Sequence, residues 1–228
     1  MIELVVFDMA GTTVDEDNVV YKTVRAAINA AGHDFTQDQV QAAGAGKEKS
    51  QAIRDVLSSK GTLPKDAEVA VIFEDFKERL RVEYENLEVK EQPGASELFQ
   101  ELHARGIKVV LNTGYDRMTA ESLVERIGWK LATDIDALVT ASDVVDGRPA
   151  PDMIFKAMEL TGVGAPEAVV KIGDSEIDVE EGKNAGCAIT IGITTGAQSR
   201  GQLLKADPTL VIDRLAEVLP HIDATGAA

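Results

Sequence analysis

The sequence predicts a doubly wound, parallel α/β sheet interrupted by one all-helical unit. Three observations carry this. Short apolar runs recur along the chain and are separated by segments of helical periodicity. Residues 17–90 break that alternation with helical stripes only. The chain has 228 residues, of which 44% are hydrophobic, enough for a sizeable core in one large or two small domains.

The first run is Ile2–Phe7, which leads into Asp8 and the turn-forming Gly11. Val20, Val24, Ala27, Ile28 and Ala31 then recur at helical spacing, with Gly32 as a natural stop. Ala52, Ile53, Val56 and Leu57 form a second stripe, and Val69, Ile72, Phe73, Phe76, Leu80 and Tyr84 a third. After Gln92-Pro93-Gly94 the alternation resumes. A helix over Ala95–Arg105 precedes strands at Ile107–Asn112, Ala137–Thr140, Val169–Gly173, Ala188–Ile193 and Thr209–Ile212. The expected division is therefore a core of 1–16 with 91–228 and a helical insert of 17–90. The closing ATGAA is expected to fray.

Charge narrows the range of functions. Lys and Arg number 23 against 39 Asp and Glu, giving a formal net charge of −16. Such a surface repels nucleic acid and anionic lipid. No apolar run approaches bilayer-spanning length. The N-terminus does not read as a signal peptide, and a single cysteine, Cys187, suits a reducing cytoplasm. An anionic substrate would need a locally positive site, made by a metal ion or a few placed cations.

Four stretches carry candidate chemistry. Asp8, in VVFDMAGTTVD, follows a buried strand, where a carboxylate suits a nucleophile or a metal ligand. Thr12 beside it could cradle an anion. Thr113 and Gly114, in VVLNTGYDRM, end another strand and offer a hydroxyl and an open backbone N–H. Arg148, in DGRPAP, brings a bidentate cation on a rigid loop. Asp174 and Asp178, in KIGDSEIDVEEG, are hard-oxygen ligands suited to Mg2+. Each alone equally fits a loop cap, a helix cap, a solvated loop arginine or an acidic helix start.

Together and in order, these motifs resemble the haloacid dehalogenase superfamily, over essentially the whole chain. The resemblance implies a Rossmann-like core, a mobile helical cap, Mg2+ held by Asp8, the backbone oxygen of Ala10 and Asp174 with Asp178 close by, and a small anionic organophosphorus substrate. Thr113, the Gly114 amide and Arg148 would then stabilise the phosphoryl oxygens. The superfamily's common phosphatase pattern, DxDxT, supplies a general acid at its second Asp, and here that position is Ala10. With NTGY and GRPAP, this variant resembles the phosphonatase branch, the relatives of phosphonoacetaldehyde hydrolase. That branch cleaves a carbon–phosphorus bond and carries a Schiff-base lysine in a G-x-x-K pattern on the cap. Gly46-Lys47-Glu48-Lys49 matches it and points to Lys49, with Lys47 as second candidate and as a charge able to lower the pKa of Lys49. The branch's Met, Asp and His around that lysine are absent here, and Met9 stands for its Trp. The resemblance also implies a homodimer through the cap. The alternative is a phosphatase of the same superfamily acting on a small phosphate monoester such as phosphoglycolate.

Overall fold

The sheet is parallel and six-stranded in the order β5-β4-β1-β6-β7-β8, in a computed structural model that describes residues 1–225. The last three residues of the expected frayed tail lie outside the described residues. β1 (Leu4–Asp8) pairs with β4 (Lys108–Thr113) on one side and β6 (Val169–Gly173) on the other. β5 (Ala137–Thr140) closes one edge, while β7 (Ile189–Ile193) and β8 (Leu210–Ile212) extend the other. Each strand lies within two residues of its expected limits. The apolar runs are continuous because the central strands are covered on both faces: Leu4, Val5, Val6 and Phe7 have no exposed surface. Burying each such side chain stabilises the fold by about 1.5–3 kcal/mol.

The chain runs from β1 outward through β4 and β5, then returns to β6 and continues the other way. The carboxyl ends of β1 and β6 therefore flank the point where the winding direction changes, the usual ligand crevice of such sheets. Asp8 closes β1 and Asp174 follows β6.

Between residues 19 and 86 lie four helices: α1 (Val19–Ala30), α2 (Gln37–Gly44), α3 (Lys49–Ser58) and α4 (Asp66–Asn86). Three of them match the expected stripes. α2 has no legible stripe, because only Val40 and Gly44 of it are buried. It is held by a capping box between Thr36 and Gln39. Both connections between sheet and helices run through a two-stranded antiparallel ribbon, β2 (Val14–Asp15) with β3 (Lys90–Glu91). Strands of two residues leave no periodic signal, so the ribbon emerges only from the three-dimensional pairing.

The second half of the core follows the expected rhythm. α5 (Ala95–Ala104) starts at Gly94, whose φ of 87° suits glycine. α6 (Arg117–Ile127), α7 (Asp152–Thr161) and α8 (Glu176–Ala185) cover the sheet, followed by the short α9 (Arg200–Leu203) and α10 (Leu219–Thr225). Among the described residues, no helix is long and apolar enough to cross a membrane.

Candidate active site

Asp8, Asp174 and Asp178 converge at the strand ends although 166 residues separate the first two in sequence. One carboxylate oxygen of each lies within 4.8 Å of the others, and all three side chains are buried. The β1–β6 pairing brings Asp8 and Asp174 side by side. The first turn of α8 then turns Asp178 back toward them.

Arg148 anchors this cluster. Its side chain is only 3% exposed, and Nη1 lies 2.7 Å from Asp8 Oδ1 and 2.8 Å from Asp178 Oδ1. Nη2 donates to the backbone oxygen and Oδ1 of Asn112, and Nε lies 3.1 Å from Glu181 Oε2. Beyond the loop arginine that was expected, the structure shows which acceptors the fork meets. The guanidinium is directed at protein acceptors, where it orients Asp8.

A second buried cation completes the cluster. Lys171 has no exposed surface, and its Nζ lies 2.6 Å from Asn112 Oδ1 and 3.1 Å from both Asp178 Oδ1 and Glu181 Oε2. Sequence reasoning passed over it, though a lysine inside the otherwise apolar strand VVKIG was a signal of a buried charge with a partner. Asn112 carried no such signal beyond ending a strand, and Glu181 stood out only as a member of the acidic run after Asp174.

These charges set the acid strengths. Burial raises Asp8 above the ordinary carboxylate range, and the attraction of Arg148 offsets only part of that. Burial, joined by repulsion from Asp8 and Asp178, raises Asp174 well above it. Asp178 is also buried, yet Arg148 and Lys171 outweigh the desolvation and hold it below its usual value. Two cations, Arg148 and Lys171, face four carboxyl groups, Asp8, Asp174, Asp178 and Glu181, so acidic groups outnumber basic ones. That donor set fits a divalent, oxygen-seeking cation such as Mg2+. The backbone of Gly11 and Gly196 packs against the Asp174 carboxylate so closely that neither position has room for a side chain, and Ala197 N–H donates to Asp174 Oδ2 at 2.5 Å.

The anion-binding candidates sit around Asp8. Thr13 Oγ1 donates to the Asp8 backbone oxygen at 2.9 Å, which stiffens the turn. Thr12 Oγ1 is buried and meets no hydrogen-bond partner among the described residues, so a hydroxyl is left over for a ligand. Thr113 is buried at the end of β4, where its Oγ1 accepts the Tyr115 N–H. Gly114 faces the helical insert: a Cβ there would meet the backbone oxygens of Gly46 and Lys47 at 3.6 Å.

Lys49, the first residue of α3, is brought to this same site and is 8% exposed. Its Nζ donates to the Lys47 backbone oxygen at 2.8 Å and to Tyr21 Oη at 3.4 Å. It lies over the rings of Tyr21 and Tyr115, 5.0 and 5.5 Å from their centroids. Burial lowers its pKa, against the opposing pull of Asp8 and Glu16. Lys47 behaves differently from expectation. Its ammonium is paired with the half-buried Asp55 of α3, and the lowering at Lys49 comes from desolvation, with Arg148 the cation that adds to it. A cleft of about 940 Å³ opens beside Lys49 between helices and sheet, lined by Phe73, Tyr84, Gly114, Tyr115 and Met118 among others.

Comparison with known proteins shows which family the chain resembles. A model of the haloacid dehalogenase-like hydrolases matches residues 2–186. A phosphonoacetaldehyde hydrolase of Bacillus cereus is 34% identical over 88% of this chain and 78% of its own length. That of Latilactobacillus sakei is 29% identical over 99% of this chain and 89% of its own. The crystal structure of a phosphonoacetaldehyde hydrolase-like protein from Oleispira antarctica superposes with a TM-score of 0.82 at 26% identity, covering 98% of this chain and 92% of that one.

Proposed function

Because the chain belongs to the haloacid dehalogenase-like hydrolase family, we propose that it is a Mg2+-dependent, phosphonatase-like enzyme. Its substrate would be phosphonoacetaldehyde or a related small carbonyl phosphonate. The observation that carries this reading is a buried lysine of lowered pKa, Lys49, facing the same site as a buried strand-end aspartate, Asp8.

Asp8, the Ala10 backbone oxygen and Asp174, with Asp178 alongside, would hold a Mg2+ ion, which would supply positive charge against the nucleophile and the phosphoryl group. The residues of the chain do the rest. Lys49, as the free amine, adds to the substrate carbonyl, and with one proton taken up from solvent the adduct expels water, leaving an iminium. Asp8, oriented by Arg148, attacks phosphorus in line. The carbon–phosphorus bond breaks and its electron pair enters the iminium, giving an enamine on Lys49 and an aspartyl phosphate on Asp8. Thr12, Thr113 and the Gly114 N–H are the donors available to the phosphoryl oxygens. Water hydrolyses the acyl phosphate to phosphate. Protonation and hydrolysis of the enamine release the aldehyde and restore Lys49. Ala10 is consistent with this route, since a carbanion stabilised as an enamine needs no acid at that position. The helices α1–α4 would act as a cap that excludes water from the imine.

A second reading, hydrolysis of a small phosphate monoester, is supported by the cluster of Asp8 and Asp174, with Arg148 orienting Asp8, which would not require Lys49. One experiment separates the two. The protein is assayed with phosphonoacetaldehyde and with a panel of phosphomonoesters, with and without Mg2+, and is trapped with borohydride during turnover. Turnover of the phosphonate with a reduced adduct on Lys49 is expected. An active substrate that leaves no adduct on Lys49 or Lys47 overturns the Schiff-base route and favours the ester reading.

A further inference from the structure

Glu16 takes no part in the reaction described above, yet it is among the most constrained acids of the fold. It follows β2, where the chain leaves the sheet for α1, and is only 3% exposed. Its Oε1 accepts the Tyr115 hydroxyl at 2.8 Å and its Oε2 the Tyr84 hydroxyl at 2.6 Å. Tyr115 belongs to the loop after β4, while Tyr84 belongs to α4. One carboxylate therefore ties the sheet to the helices from inside the connection between them. The ring of the same Tyr115 lies under the Lys49 ammonium.

We infer that Glu16 is a positioning residue that sets the protonation state of Lys49 and, through Tyr84 and Tyr115, holds the helical insert over it. A buried carboxylate met by hydroxyls instead of a cation has Lys49 as its neighbouring positive charge. When Glu16 is ionised it favours the ammonium, which cannot attack a carbonyl. When Glu16 is neutral that support is withdrawn and the amine is released. Burial pushes Glu16 up to about 7, with the two tyrosine hydroxyls and Lys49 pulling the other way, so the switch falls near neutral pH. The other charged or titratable groups facing the pair are Asp8 of β1, Arg148 of the loop after β5, Glu48 before α3 and Tyr21 of α1. Asp8 also favours the ammonium, whereas Arg148 opposes it. The role in imine formation rests on the Schiff-base reading. The effect on the charge of Lys49 does not.

The test therefore reads that charge directly. The Lys49 side-chain carbon resonance, assigned by its loss in Lys49→Arg, is followed against pH by NMR in the full-length wild type, in Glu16→Gln and in Tyr84→Phe. Glu16→Gln removes the negative charge, so the Lys49 midpoint should fall by about one pH unit, releasing about tenfold more amine at a fixed pH below it. Tyr84→Phe deletes one donor to the carboxylate and should move the midpoint the same way by less, which keeps the test open if Glu16→Gln fails to fold. An unchanged midpoint in the folded variants overturns the inference. Parallel trapping with acetaldehyde and cyanoborohydride keeps the two ideas apart. A shifted midpoint without an adduct supports the role of Glu16 and sinks the Schiff base, while an adduct with an unshifted midpoint does the reverse.

Discussion

Arg148 Nη1 donates to Asp8 Oδ1 across 2.7 Å, joining the loop after β5 to the end of β1. The same nitrogen lies 2.8 Å from Asp178, and the guanidinium reaches Glu181 through Nε. Arg148→Lys keeps the charge but cannot make this fork of contacts. It is expected to lower kcat by about 100-fold through misplacement of Asp8. Arg148→Ala, which leaves buried carboxylates uncompensated, should in addition cost about 3–5 kcal/mol in urea-monitored stability. Steady-state kinetics and unfolding curves on both variants check this.

Mg2+ should stabilise the protein in a pH-dependent way. Asp8 and Asp174 have folded-state pKa values raised above their unfolded ones. Without metal, the folded state holds those protons longer than the unfolded state. Stability is then fullest below the unfolded carboxylate range and falls as pH rises through the folded values. Metal binding needs the ionised forms, so it reverses the trend. The rise in Tm on adding Mg2+ should be near zero at pH 4 and grow toward pH 8. A rise that is flat across that range would argue against these carboxylates as ligands.

Gly46, just before α3, packs closely against the start of α8. Its φ is +74°, and a Cβ there would meet Ser175 Oγ at 2.5 Å and Ile177 Cγ2 at 2.6 Å. Gly46→Ala should therefore push the segment carrying Lys49 away from the strand ends, beyond the roughly 1–2 kcal/mol of left-handed backbone strain. The expected outcome is a KM raised several-fold with a lower kcat. The Tm falls only a few degrees, because most of the core is far from this contact.

Ala10→Asp introduces the carboxylic acid that ester-cleaving relatives of the pattern carry. If the missing acid limits ester hydrolysis, the variant should gain about tenfold or more on phosphomonoesters with poor leaving groups. Its activity on a carbonyl phosphonate should not rise, since that leaving group accepts its electrons through the iminium. The ratio of the two activities is the measurement.

Much of the layout could be read in the residues themselves. The strand runs are legible because β1, β4 and β6 are covered on both faces and so are apolar without interruption. The strand-end residues Asp8, Thr113 and Asp174 are legible because each directly follows such a run. Lys49 was reachable only through the resemblance of Gly46-Lys47-Glu48-Lys49 to the G-x-x-K pattern of the phosphonatase branch. Lys47 and Arg148 were found as residues but not as contacts, since nothing local says that Asp55 takes the one and three carboxylates the other. Glu16, Tyr84 and Tyr115 were invisible as a group. They lie up to 99 residues apart, and Tyr84 looked like one more member of an apolar stripe.

What the sequence by itself determined is the alternation of strands and helices, the place of the helical insert and the identity of the strand-end carboxylates. Local periodicity and residue type carry that information. Which charges meet was decided only in the tertiary structure. The parallel pairing of β1 with β6 brings Asp8 beside Asp174, the loop after β5 buries Arg148 between Asp8 and Asp178, and the start of α3 sets Lys49 over the ring of Tyr115, whose hydroxyl meets Glu16. Electrostatic partners in a water-poor site are chosen by distance and burial, and neither is written in the spacing of residues along the chain.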